Sequence, residues 1–201
     1  MRLFLALMLC GVMHFYGSEI KVYDDQQIQL LLNSSEHGEI AQVLSTIGVR
    51  FEKWNANAVL PKDATEQDIR VAYKNDIDGL CMENGYQFVD IVRMFPDSPK
   101  RKELRNKFLN EHTHNEDEVR FFVEGSGLFY LHASNKVFRV LCEEGDLISI
   151  PPLYPHWFDM GESPHFTAIR FFINKDGWIP EFTGSGLSKN FFDDEYPEPK
   201  D

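Results

Sequence analysis

The sequence predicts a mainly β protein, an antiparallel sandwich or barrel with a few α-helices ahead of it. Three observations carry this. From Asp117 onward, short apolar runs recur at even spacing between turn signals, the pattern of all-β folds. Ahead of Asp117, apolar residues repeat at helical spacing instead. The composition, 43% hydrophobic with 17 Phe in 201 residues, suits one domain with a sizeable core and excludes a disordered chain.

The elements follow in order. Ile20 to Tyr23 reads as a short strand. Ser34-Ser35-Glu36 offers a helix N-cap with an acid in the first turn. Ile40, Val43, Leu44 and Ile47 follow on one helical face, and Gly48 closes that helix. Val49 to Trp54 alternates as a strand. Thr65 to Asp68 resembles a capping box with Asp in place of Glu. Ile69, Ala72, Tyr73, Ile77 and Leu80 form a second apolar stripe, closed by Gly85. Val89 to Met94 reads as a strand. Ser98-Pro99 places a cap before a proline at the first helical position, and this third helix turns Leu104 and Phe108 inward. The strand series then runs Glu118 to Val123, Leu128 to Ala133, Val137 to Cys142, Leu147 to Ile150 and Phe166 to Ile173. Its dividing turns are Gly125-Ser126-Gly127, Ser134-Asn135-Lys136 and Gly145-Asp146. The domain so defined covers 18–184. Residues 185–201, with prolines and several acids, read as a flexible acidic tail.

A net charge of -12 argues against a nucleic-acid partner. Cys10, Cys81 and Cys142 have no paired or CxxC spacing, which excludes a disulfide framework and fits a reducing compartment, the cytoplasm. Residues 1–17 hold the one ambiguous segment. Arg2 followed by the apolar run Leu3 to Met13 has the shape of a signal-peptide core but is too short to span a bilayer. It is read either as a leader for export or as a misplaced start, with translation beginning near Met13. No stable membrane association is expected.

His112-Thr113-His114-Asn115-Glu116-Asp117-Glu118, with His156 downstream, has metal-ligand spacing. In an extended segment His112, His114, Glu118 and Arg120 share one face, and such a polar face is costly unless a metal or substrate meets it. Three imidazoles and a carboxylate suit iron, nickel, manganese or zinc, and leave two positions on a six-coordinate ion for a small chelating ligand. Single histidines are usually surface or core residues, and so a solvated loop is the plain alternative; the full spacing is what argues against it. His132 and His165 fall outside the pattern and are expected to be structural or to hydrogen-bond a ligand. Glu116 is expected to be solvated. Phe108, Trp157 and Phe158 flank the site in sequence and are candidates for lining a substrate pocket, with ordinary core packing as the alternative.

His112-x-His114-x(3)-Glu118-x(6)-Gly125 and Gly145-x(5)-Pro151-x(4)-His156 resemble the two motifs of the cupin superfamily. Asn106 stands where a glycine is expected, and Leu153 and Met160 replace the glycine and the Asn of the second motif. A closer resemblance is to acireductone dioxygenase. It rests on the run from Phe108 to Gly125, on Gly127 to His132, on Asp146 to Pro151, on His156 to Gly161 and on Gly48 to Trp54. It covers about Ser18 to Gly184.

The resemblance implies a cupin-type antiparallel β-barrel, jelly-roll-like. It places the metal ligands on His112, His114, Glu118 and His156, for one Fe(II) or Ni(II) per chain. It implies that O2 and 1,2-dihydroxy-3-keto-5-methylthiopentene, an acireductone of methionine salvage, are the substrates. The iron form would yield 4-methylthio-2-oxobutanoate and formate; the nickel form would yield 3-methylthiopropanoate, formate and carbon monoxide. The basic residue that helps form the substrate dianion falls on Arg120. Glu111 and Asp117 fall on positions linked to metal incorporation and conformational relay. A monomer is expected. The alternatives are a metal-binding cupin that acts as a small-molecule binder or sensor, and a storage cupin without a complete ligand set.

Overall fold

The computed structural model describes residues 17–58, 60–61, 63–175, 178–191 and 196. Apart from Gly17, the leader and Cys10 lie outside them, as does most of the expected tail. The chain runs β1 (Glu19–Asp24), β2 (Leu30–Ser34), α1 (His37–Ser45), β3 (Arg50–Lys53), α2 (Glu66–Ala72), α3 (Lys74–Asn84), β4 (Phe88–Met94) and α4 (Arg101–Phe108). Then come β5 (His112–Thr113), β6 (Glu118–Ala133), β7 (Lys136–Glu143), β8 (Asp146–Ile150), β9 (His156–Asp159), β10 (Phe166–Phe172) and β11 (Glu181–Phe182).

All strand pairs are antiparallel and form two layers. One layer has the order β11-β5-β9-β6-β7-β1-β2. The other has the order β4-β10-β6-β8-β3. This is the mainly β, jelly-roll-like arrangement that the sequence predicts. Strand β6 belongs to both layers. Its first half pairs with β8 and β10, its second half with β7 and β9.

The join lies at Gly125 to Gly127. The expected turn there does not form; one long strand bends instead. Gly125 has φ +69, and a Cβ on it would lie 1.8 Å from the His165 carbonyl oxygen. Only glycine lets β10 approach so closely while β6 turns from one layer to the other.

The core fills the space between the layers with Phe122, Phe129, Phe138, Phe158 and Phe166, all buried. Each contributes about 1.5–3 kcal/mol by leaving water. Helices α2 and α3 cover the outer face of the second layer, where Ile69, Tyr73 and Leu80 join Phe121, Leu147 and Phe171. The capping box at Thr65 forms, with reciprocal bonds to Asp68. The second apolar stripe is two helices rather than one, because Tyr73 leaves helical geometry at φ -106, ψ 20.

Two caps differ from expectation. Ser98 accepts a bond from the Phe95 N–H at 3.0 Å and shapes a turn, so α4 starts later, at Arg101. Helix α1 begins after Glu36; Ser34 instead donates to Glu39. Part of the expected tail is docked. A 3-10 helix, Leu187–Phe191, buries Phe191 against Tyr130 and Trp157, apolar partners that an acidic composition does not reveal.

Candidate metal centre

The expected single extended segment is in fact two strands. His112 lies on β5, His114 just beyond it, and the chain bends at 115–116 before Glu118 opens β6. Glu116 holds that bend, accepting the backbone N–H of Ile173 at 3.0 Å and of Asn174 at 3.2 Å. It stays at the solvent-facing surface, as expected, and serves there as an anchor. Strand β9 pairs with β5 so that His156 lies opposite His112. His112, His114, Glu118 and His156 are thereby brought together, all buried, each with a ligand atom within 4.8 Å of the others.

The imidazoles are oriented from behind. Nδ1 of His112 lies 2.7 Å from the Asn110 carbonyl, that of His114 3.2 Å from Ile179 O, and that of His156 2.7 Å from Tyr154 O. A carbonyl only accepts, so each Nδ1 carries the proton and each Nε2 offers a lone pair inward. Nε2 of His114 and of His156 lie 3.1 and 2.9 Å from Glu118 Oε2. Acceptors this close require a cation between them, a proton or a metal. Burial, reinforced by the neighbouring His156, pushes His112 down to about 4, so it is neutral at pH 7. Burial pushes the Glu118 carboxyl up, but the Arg120 charge, together with the His114 and His156 rings whenever a proton sits on their Nε2, outweighs this and holds it well below the usual range. Three imidazoles and one carboxylate, with no sulfur, fit a divalent transition metal.

Arg120 is two residues along the same face of β6, its Nη2 2.7 Å from Glu118 Oε1. The rings of Phe158, Phe129 and Trp178 hold its guanidinium, with centroids 4.4, 5.1 and 5.3 Å away. A cavity of about 380 Å³ opens onto His112, His114, Glu118 and Arg120. Phe88, Phe108, Phe158, Phe172 and Trp178 supply its apolar wall.

Of the three flanking aromatics, Phe108 and Phe158 line this cavity and Trp157 does not. Alternation along β9 puts His156 and Phe158 on one face and Trp157 on the other. There Trp157 stacks on Tyr130 at 5.1 Å in the outer cluster. Glu111 points away from the ligands; it accepts from Thr183 at 2.6 Å and meets His132 Nδ1 at 2.9 Å. His132 also reaches Asp25 at 3.1 Å. Asp117 accepts from Tyr86 through its side chain at 3.2 Å and from Trp178 through its carbonyl at 2.9 Å. His165 pairs with Glu124 at 3.2 Å, away from the ligands. Sequence reasoning missed Phe88, Arg170, Phe172 and Trp178. The alternation on β10 could have placed Arg170 and Phe172 on one face. Arg170 sits directly opposite Arg120 in register, and Asp90 neutralises it with bonds of 2.8 and 2.6 Å. Trp178 lies in an irregular segment whose position no periodicity encodes.

Comparisons with known proteins agree with this geometry. A family model described as the ARD/ARD' family matches residues 19–180. Acireductone dioxygenases of Alcanivorax borkumensis and Yersinia pseudotuberculosis are each 50% identical over 175 residues, covering 87% of this chain and 97% of theirs. A solved acireductone dioxygenase from Bacillus anthracis, with a cadmium ion in its active center, superposes with a TM-score of 0.73 at 28% identity. That match covers 83% of this chain and 98% of the other. With the family model spanning most of its length and such relatives matched almost end to end, this chain belongs to the ARD/ARD' family.

Proposed function

We propose that this protein is a metal-dependent acireductone dioxygenase of methionine salvage. Its substrates would be 1,2-dihydroxy-3-keto-5-methylthiopentene and O2. The observation that carries the reading is a buried three-histidine, one-carboxylate cluster beside a buried arginine that shares the β6 face of its carboxylate, Glu118. His112, His114, Glu118 and His156 would hold one Fe(II) or Ni(II). The bound ion supplies the positive charge that stabilises an enediolate in a dry pocket.

The chain's own residues do the rest. Arg120 supplies a second positive charge and favours loss of the substrate's enol protons. Phe158, Phe129 and Trp178 fix its direction by covering the guanidinium. The aromatic wall of Phe88, Phe108, Phe158 and Phe172 suits a methylthio tail and excludes water from the reacting carbons. The Glu111 carboxyl would act indirectly, by tying Thr183, next to the β11 strand that pairs with His112, to the chain just before the ligands. Asp117 would act through its main-chain carbonyl, which holds the Trp178 ring, while its carboxyl accepts from Tyr86. One O2 balances either product set: 4-methylthio-2-oxobutanoate with formate, or 3-methylthiopropanoate with formate and carbon monoxide. A cytoplasmic location fits the free Cys81 and Cys142; the protein would act as a monomer.

The test is to quantify iron and nickel in the purified protein, mix it anaerobically with acireductone, and then admit oxygen. Oxygen uptake with formate release is expected, and carbon monoxide should track the nickel-loaded fraction. A binder or sensor would bind the compound without oxygen uptake. His114→Ala should lose both metal and turnover; full activity in a metal-free sample would sink the proposal.

A further inference from the structure

We propose that Lys107 and Lys175 form a cationic mouth that captures the substrate as an anion and passes it to Arg120. This rests on the reading of the substrate as an acireductone. A reductone is a vinylogous acid, so near neutral pH it arrives with a negative charge. The protein it approaches has a net charge of -12, and most of its surface repels that charge.

The cavity inverts the sign locally. Its lining has four cationic side chains, Lys107, Arg120, Arg170 and Lys175, against two carboxylates, Asp90 and Glu118. Both carboxylates are already matched, Asp90 by Arg170 and Glu118 by Arg120. Lys107 and Lys175 are exposed, and no carboxylate among the described residues lies within ion-pair distance of either.

Their positions are supported from behind. Lys107 Nζ sits 5.9 Å from the centroid of the Phe108 ring, which lines the same cavity. Lys175 follows Ile173 and Asn174, whose backbone N–H groups Glu116 holds. Two charges fixed at the rim of a concave, low-dielectric pocket raise the local concentration of an anion and speed its capture. Screening limits their reach to about 8 Å at physiological salt. They would therefore act at the mouth rather than on the reacting carbons.

The test compares metal-loaded wild type with the Lys107→Gln/Lys175→Gln double variant across ionic strength, from about 10 to 500 mM. At low salt, kcat/KM for acireductone should fall about 3- to 10-fold, carried by KM, and the two proteins should converge at high salt. The Lys107→Arg/Lys175→Arg variant should keep the wild-type salt profile. Anaerobic titration with ascorbate, a stable enediolate monoanion, should show the same low-salt weakening without turnover. Wild-type and double-variant salt profiles that run parallel to each other, in activity and in ascorbate binding, or a loss confined to kcat, would overturn the mouth while leaving the dioxygenase reading intact. Wild type that binds ascorbate but consumes no oxygen with acireductone overturns that reading and this one with it.

Discussion

Arg120 is enclosed by three aromatic faces and one carboxylate, with 5% of its surface exposed. A cation so dehydrated is costly unless something negative answers it. Glu118 answers part of that demand, and an enediolate in the cavity would answer the rest. Arg120→Ala should therefore leave the four ligands and the metal content intact while lowering kcat by about 100- to 1000-fold, as loss of one preorganised charge typically does. Metal analysis beside steady-state kinetics checks this; wild-type turnover would remove Arg120 from the chemistry. The residue scale is also where the sequence was most legible. The spacing of His112, His114, Glu118 and Arg120 announces a shared polar face even though the chain bends between His114 and Glu118. For Trp157 the sequence leaves pocket wall and core packing open, and the alternation along β9 decides for core packing by turning it outward.

The elements were legible where they were long enough to show a period, and illegible where they were not. Strands β5 and β11 are two residues each, too short for alternation to register, yet they bring Thr183 to Glu111 and Phe182 beside His112. Strand β2 was missed because Leu30, Leu31 and Leu32 form a continuous run that does not alternate. Gly125-Ser126-Gly127 has the composition of a turn, and what makes it a bend inside β6 is a partner far along the chain, the His165 carbonyl. Gly125→Ala should force that contact apart as well as strain a left-handed backbone. A cost of about 3 kcal/mol is expected, lowering the thermal midpoint by about 6–12 °C. Calorimetry checks it, and an unchanged midpoint would mean that β10 yields easily. Leu153 is the converse case. It stands where the cupin motif has glycine and still adopts φ +62, held by its N–H to the His114 carbonyl at 2.7 Å. The divergent motif keeps the turn's geometry without the residue that favours it.

Across the whole molecule, the ligands tie together segments that are far apart in sequence. His112 and His114 come from β5 and its end, His156 from β9, and Glu118 from the strand that both layers share. A metal there would cross-link the first layer and, through β6, the second. Without a cation, the Glu118 carboxylate faces bare Nε2 lone pairs in a site with almost no water access. Metal removal should therefore lower the stability of the entire fold rather than loosen one loop. A site at one-hundredfold excess over its dissociation constant adds about 2.7 kcal/mol, or roughly 5–11 °C for a chain of this size. Scanning calorimetry of chelator-treated protein, with and without readded Fe(II) or Ni(II), measures this directly. The His114→Ala variant should show no metal-dependent rise. A midpoint independent of metal in the wild type would mean that ions bind the folded and unfolded chains alike, and the four residues would then be a polar cluster rather than a metal centre.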